Sequence, residues 1–214
     1  MQEAFDRHVA ALPAGRVVDI GSIGRKALYR RIWEAGGWDY TGLDLAAGDN
    51  VDVVLEDPWL FPFDDASFDA VISGQMLEHN EFFWLSFIEM ARVLRPGGMM
   101  VHVAPSRGAE HRAPQDCWRF YRDGMGALAR WVGMDLVEAT TDWAPEHFDY
   151  WRERRKDRLP QLRETMRTAG TPWGDTVAVF RKTLDLRQTP AARYCRHFTA
   201  VIDAPGTPFR VAAE

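Results

Sequence analysis

Apolar stretches of strand length alternate with amphipathic stretches of helix length through the first two thirds of the chain, the pattern of parallel strands joined by crossover helices. Strands are expected near residues 16–20, 40–43, 51–55, 68–73 and 99–104. Between the first two, Ala27, Leu28, Ile32 and Ala35 recur at helical spacing, and Gly36 and Gly37 stop the run as glycine does past a helix C-terminus. A second helix is expected from Asn80, a good N-cap, with Glu81 in its first turn and Trp84, Phe87, Ile88, Ala91 and Leu94 on one face. The run Arg95, Pro96, Gly97, Gly98 should turn the chain into the fifth strand. Helix character returns over residues 123–132, and strand-like runs at 134–139 and 176–180 suit a pair at the sheet edge.

A polar segment, residues 105–119, is too long for a simple connection; such loops at the C-terminal edge of a parallel sheet usually carry function. Between the last two strands, residues 151–167 hold seven arginines and lysines against Glu153, Asp157 and Glu164, which reads as a solvated helical insertion or as a lure for an acidic partner.

Composition narrows the class. The 214 residues suit one domain, 46% are hydrophobic and 27% charged, the formal net charge is −5, and no apolar run approaches the roughly 20 residues that span a bilayer. A membrane protein is not expected, and the acidic balance disfavours a nucleic-acid acceptor. Glu3, Asp6 and Arg7 interrupt the first residues, unlike a secretion signal, so the expected location is cytoplasmic. The two cysteines, Cys117 and Cys195, have no paired spacing, and no two of the six histidines stand at metal-ligand spacing, so no metal is expected. Several of the nine tryptophans, at 59, 118, 143, 151 and 173, fall outside the periodic segments and read either as loop anchors or as cleft walls.

The candidate chemistry starts at the first strand. Val17, Val18, Asp19, Ile20, Gly21, Ser22, Ile23 and Gly24 run into a helical pattern, and Asp44 closes the next apolar segment. Glycine lets the loop turn sharply and exposes main-chain N–H groups, and a carboxylate at the second strand tip suits the two hydroxyls of a ribose. By itself such a turn also serves as a plain tight connection.

Further blocks follow in order. Residues 57–69 read Asp, Pro, Trp, Leu, Phe, Pro, Phe, Asp, Asp, Ala, Ser, Phe, Asp; Val71 to His79 read Val, Ile, Ser, Gly, Gln, Met, Leu, Glu, His; and Ala91 to Gly98 read Ala, Arg, Val, Leu, Arg, Pro, Gly, Gly. Over about 90 residues these blocks resemble the class I S-adenosylmethionine-dependent methyltransferases, in particular the small-molecule (type 11-like) domain. The resemblance implies an α/β, Rossmann-like fold: a seven-stranded sheet of order 3-2-1-4-5-7-6 with helices on both faces. It also implies a single domain over residues 1–214, with the basic insertion at about 143–174 and a C-terminal extension from about 183.

Position by position, the resemblance assigns Asp19, Gly21, Ser22 and Gly24 to the methionine part of S-adenosyl-L-methionine. Asp44 with Leu45 falls to the ribose, Asp57 with Pro58 to the adenine, and Gln75 to the methionine end. Asp19 and Asp57 also read as plain caps or turns, and Glu78 with His79 as a capping and packing pair. His102, in mid-strand, reads as a core histidine. Where the family carries a second glycine, this chain has Ile23, whose branched side chain narrows the approach to the backbone.

Methyl transfer needs alignment more than covalent help. For a hydroxyl acceptor, His79 or His111 is the candidate base, and Asp116, Trp118, Arg119 and Tyr121 are expected to line the acceptor pocket. The acceptor class is a small molecule or a glycan. Two alternatives remain at this level: a nicotinamide-dependent oxidoreductase, which shares the strand, turn and acid, and a non-catalytic member that binds cofactor or a partner.

Overall fold

The computed structural model describes residues 1–24, 27–141, 173–183 and 189–195. The expected basic insertion and most of the C-terminal extension lie outside the described residues, as do Trp143 and Trp151.

Seven strands form one sheet: β1 (Arg16–Ile20), β2 (Asp39–Asp44), β3 (Val53–Val54), β4 (Phe68–Gly74), β5 (Leu94–Arg107), β6 (Met134–Thr141) and β7 (Gly174–Lys182), in the order β3-β2-β1-β4-β5-β7-β6. Strands β1 to β5 pair in parallel, and β7 runs antiparallel between β5 and β6. This is the order the resemblance implied.

Helices cover the two faces: α1 (Gln2–His8) and α2 (Ala27–Ala35) on one, α3 (Phe83–Val93) and α4 (Arg122–Val132) on the other. A parallel strand covered on both faces is apolar at every position, with successive side chains feeding opposite layers. Thus Val71, Met100 and Phe180 join the layer of Phe87, Met90 and Leu128. Their neighbours Ile72, Val101 and Val179 join Phe5, Val9 and Trp33.

The helices differ from expectation in instructive ways. Helix α1 was not foreseen; it buries Ala4 and Phe5, and Phe5 meets Trp33 edge-on at 5.0 Å. In α2 the inner face belongs to Tyr29, Ile32 and Trp33, while Leu28 is 59% exposed. Helix α3 starts at Phe83, not at Asn80: residues Leu77–His79 form a 3-10 turn instead. The Asn80 carboxamide is used in tertiary contacts as well as locally, accepting from Trp59 Nε1 and Phe82 N, both at 3.1 Å, and donating to Ser86 Oγ at 2.7 Å.

Helix α3 ends one residue before Leu94, which already pairs with Phe68, so β5 begins before the Pro96–Gly98 stretch and not after it. Gly97, at φ 78°, supplies the left-handed backbone there. Lys182 Nζ donates to the Ala91 and Leu94 carbonyls at 2.6 and 2.5 Å, a cation on the carbonyl end of α3. Among the described residues no helix is long and apolar enough to cross a membrane.

Candidate functional site

Strand order reverses between β1 and β4, and the crevice beyond the C-terminal strand ends at such a point is where open α/β sheets bind ligands. A cleft of about 330 Å³ opens there. Its lining comes from the end of β1 (Ile20, Gly21, Ile23), the tip of β2 (Asp44, Leu45), the segment after β3 (Pro58, Trp59), the segment after β4 (Gln75, Met76, His79) and residues 113–115.

Gly21 has φ 76°, a conformation that glycine adopts without strain, and the Leu43 carbonyl accepts from Gly21 N at 2.8 Å and Ser22 N at 3.1 Å. The turn is thereby welded to β2. Asp44 follows from the same weld: its carboxylate accepts from Ile23 N at 2.9 Å and Leu45 N at 2.7 Å. Two backbone donors fix the carboxylate and leave it acceptor capacity for two ligand hydroxyls. Ile23 is 40% exposed and reaches across Gly48, where an added Cβ would stand 2.8 Å from Ile23 Cδ1. Its branch point therefore forms part of the wall.

Of the other expected cofactor residues, Asp19, Ser22, Gly24 and Asp57 stand behind the lining, and Gln75 is part of it. Asp19 is fully buried and accepts from the Tyr40 hydroxyl, whose ionisation is pushed far up by burial and then by the Asp19 charge. Ser22 is buried too, its Oγ donating to the Asn50 carbonyl at 3.0 Å. Gly24, at φ 85°, closes the loop onto Asp49. Asp57 Oδ1 accepts from Trp59 N at 2.8 Å, which shapes the turn that carries Pro58 and Trp59 into the wall. Gln75, at φ 55°, donates from its backbone N to Val103 and from its side chain to Asp175 at 3.0 Å.

At the other end of the cleft lies His79. Its Nδ1–H donates to the Gln115 carbonyl, and the Gln115 amide donates back to the His79 carbonyl at 3.0 Å. Glu78 is fully buried, with Oε1 3.5 Å from His79 Nε2 and 3.9 Å from His111 Nε2. The two imidazoles meet edge-on at 4.8 Å. Asp116 accepts from His111 N at 2.8 Å and from Arg119 at 2.5 and 2.8 Å, and the Arg119 guanidinium holds its carboxyl well below the usual carboxylate range. Among the described residues, Glu78, His79 and His111 form a group with metal-ligand character, their ligand atoms all within 4.8 Å of one another.

Of the expected acceptor-pocket residues, Asp116 and Arg119 thus pair behind His111, Trp118 anchors the loop by donating to the Asn80 and Glu81 carbonyls at 3.1 and 3.2 Å, and half-exposed Tyr121 precedes α4. The wall itself is made by residues 113–115. Sequence reasoning missed those three and the meeting of His79 with His111; the length of the 105–119 loop was the available signal. His102 lies in the core, its Nδ1 2.8 Å from Ser73 Oγ, and burial lowers its pKa to about 3. Cys117 and Cys195 are exposed and form no disulfide with each other.

A family described as a methyltransferase domain matches residues 18–102. The demethylmenaquinone methyltransferase of Roseiflexus castenholzii is 30% identical over 181 residues, covering 78% of this chain and 71% of that protein. The demethylmenaquinone methyltransferase of Mycolicibacterium gilvum is 37% identical over 95 residues, 42% of this chain and 41% of the relative. Among solved structures, the 1,6-didemethyltoxoflavin-N1-methyltransferase of Burkholderia thailandensis, with bound 1,6-didemethyltoxoflavin and S-adenosylhomocysteine, aligns with a TM-score of 0.60 at 17% identity, over 86% of this chain and 76% of that one. Phosphoethanolamine N-methyltransferase 2 of Haemonchus contortus, in complex with S-adenosyl-L-methionine, aligns with a TM-score of 0.55 at 17% identity, over 86% and 52%. The two structures bear on the fold.

Proposed function

Starting from the premise that this chain belongs to the S-adenosylmethionine-dependent methyltransferases, we propose that its acceptor is a flat, largely apolar small molecule with an ionisable hydroxyl, whose proton His79 receives during methyl transfer. The observation that carries this reading is the presence of His79 on the lining of the same cleft as Gly21 and Asp44.

The residues fit the cofactor. The fixed Asp44 carboxylate suits a ribose diol, and Leu45, Leu55 and Pro58 offer an apolar wall to a planar base. Ile23 leaves room for an amino-acid end, which has no pyrophosphate to cradle. When bound, S-adenosylmethionine supplies an activated methyl group and a neutral leaving group.

The chain's own part is alignment, exclusion of water and proton handling. The Gln115 carbonyl takes the Nδ1 proton of His79, so the neutral ring carries its lone pair on Nε2. A proton received there makes an imidazolium 3.5 Å from the buried Glu78 carboxylate, which stabilises the positive ring. Trp59, Met76 and Pro114 line the same cleft and favour an apolar acceptor. The Roseiflexus relative is named for demethylmenaquinone, a flat quinone whose reduced form would carry aromatic hydroxyls.

The test is transfer of isotopically labelled methyl from S-adenosylmethionine to two panels, reduced naphthoquinones with related aromatic hydroxyls and oligosaccharides. Label in the aromatic panel is expected. Label confined to the oligosaccharides overturns the reading.

A further inference from the structure

We propose that Glu78, His79 and His111 form a zinc site, and that zinc bound there silences the base of the preceding reading. The inference rests on that reading only for its effect on turnover.

The tautomers carry the argument. A carbonyl oxygen only accepts, so His79 Nδ1 must hold the proton and Nε2 the lone pair. Asp116, paired with Arg119, sets its Oδ2 3.3 Å from His111 Nδ1, and the Nε2 of the same ring lies on the Glu78 side. Two imidazole Nε2 atoms, of which that of His79 carries a lone pair, stand 3.5 and 3.9 Å from one carboxylate oxygen. The ligand atoms of the three residues all lie within 4.8 Å of one another, a spacing that one ion can bridge.

The set has the composition of a zinc site with three protein ligands, two histidines and a glutamate, and a fourth position left for water. Drawing the atoms to the roughly 2.0–2.2 Å of zinc ligation needs only small side-chain movements. The outer partners match as well: ligating histidines characteristically donate their second N–H to a carbonyl or a carboxylate. Here the Gln115 carbonyl takes that place for His79, and the Asp116 carboxylate lies 3.3 Å from the second nitrogen of His111. Zinc would occupy the Nε2 lone pair that otherwise accepts the acceptor's proton, so bound metal and proton removal by His79 exclude each other.

The experiment uses the full chain stripped with chelator, then dialysed against Zn²⁺ alone, without cofactor or acceptor. One ion per chain is expected, and Co²⁺ substitution should give visible ligand-field absorption. His111→Ala and Glu78→Gln should each weaken zinc binding at least tenfold, and Asp116→Asn, which removes the charge beside the His111 ring, roughly tenfold. Circular dichroism identifies the variants that fold, and half-exposed His111 keeps the test open if buried Glu78 does not tolerate change.

Failure to retain zinc, or retention unaltered in folded His111→Ala, overturns the site. Zinc-loaded protein should transfer methyl at less than a tenth of the stripped rate while binding S-adenosylhomocysteine equally; undiminished turnover overturns the silencing. Because zinc is measured without acceptor, failure of the acceptor reading leaves this result standing, and the converse holds.

Discussion

His79 and Gln115 grip each other twice: the ring Nδ1–H donates to the Gln115 carbonyl, and the Gln115 side-chain amide donates to the His79 carbonyl at 3.0 Å. The clamp joins the 3-10 turn after β4 to the loop after β5, so the proposed base and the cleft wall are tied together. Gln115→Ala removes the return bond and loosens the ring's position. A displaced catalytic group lowers turnover steeply, so kcat should fall roughly tenfold to a hundredfold with cofactor affinity unchanged. Steady-state kinetics beside calorimetric titration with S-adenosylhomocysteine checks the split.

Asp44→Asn should act in the opposite way. The substitution removes the charge that Ile23 N and Leu45 N hold in place and weakens the acceptors presented to a ribose. Charge-assisted hydrogen bonds contribute about 1.5–3 kcal/mol, so affinity for S-adenosylhomocysteine should drop roughly tenfold to a hundredfold. Titration calorimetry reads this directly.

Arg92 binds the block between β3 and β4 onto α3. Its guanidinium donates to the Phe61 and Phe63 carbonyls at 3.0 and 2.7 Å and to Glu89, whose Oε2 in turn accepts from Phe61 N at 2.8 Å. Arg92→Ala strands a mostly buried Glu89 carboxylate and two carbonyls. Because Arg92 is partly solvated, the expected loss is about 2 kcal/mol, below that of a fully buried pair. Denaturant unfolding should show an earlier midpoint.

His102 makes the fold acid-sensitive. The buried ring has its pKa lowered to about 3, against 6.5 for the ordinary side chain. Below pH 6.5 the unfolded chain takes up a proton that the native ring refuses until about pH 3, so stability falls as pH falls, by up to about 1.4 kcal/mol per pH unit across that window. His102→Asn keeps a polar partner for Ser73 and abolishes the titration. Its stability should depend less on pH between 6 and 3 in equilibrium unfolding, whatever its level at neutral pH.

Much of this was legible in the chain. Strands β1, β2 and β4 could be read because a sheet covered on both faces demands apolar runs, and the blocks at 57–69 and 91–98 carried the sheet order through the family they resemble. Local rules failed where tertiary contacts outbid them. Asn80 has the side chain of an N-cap but spends it largely on Trp59 and Ser86, so α3 starts later. Leu28 fits the helical stripe but points outward, because Trp33 packs between Phe5 and Trp38 and sets the rotation of α2.

The site divided in the same way. Asp44 was recognisable from its place at a strand tip, a relation local in sequence. The meeting of His79 with His111 was not, since only the fold returns the loop after β5 to the turn after β4. For that reason histidine spacing gave no hint of a metal-binding group.

In the proposed mechanism His79 takes the acceptor proton. The most direct test compares wild type and His79→Asn for methyl transfer from labelled S-adenosylmethionine to an aromatic hydroxyl acceptor, with S-adenosylhomocysteine affinity measured in parallel. General-base catalysis is worth about 10²–10⁴-fold, so the variant should lose at least a hundredfold in kcat while binding the cofactor product normally. Equal turnover in the two proteins would rule out His79 as the base.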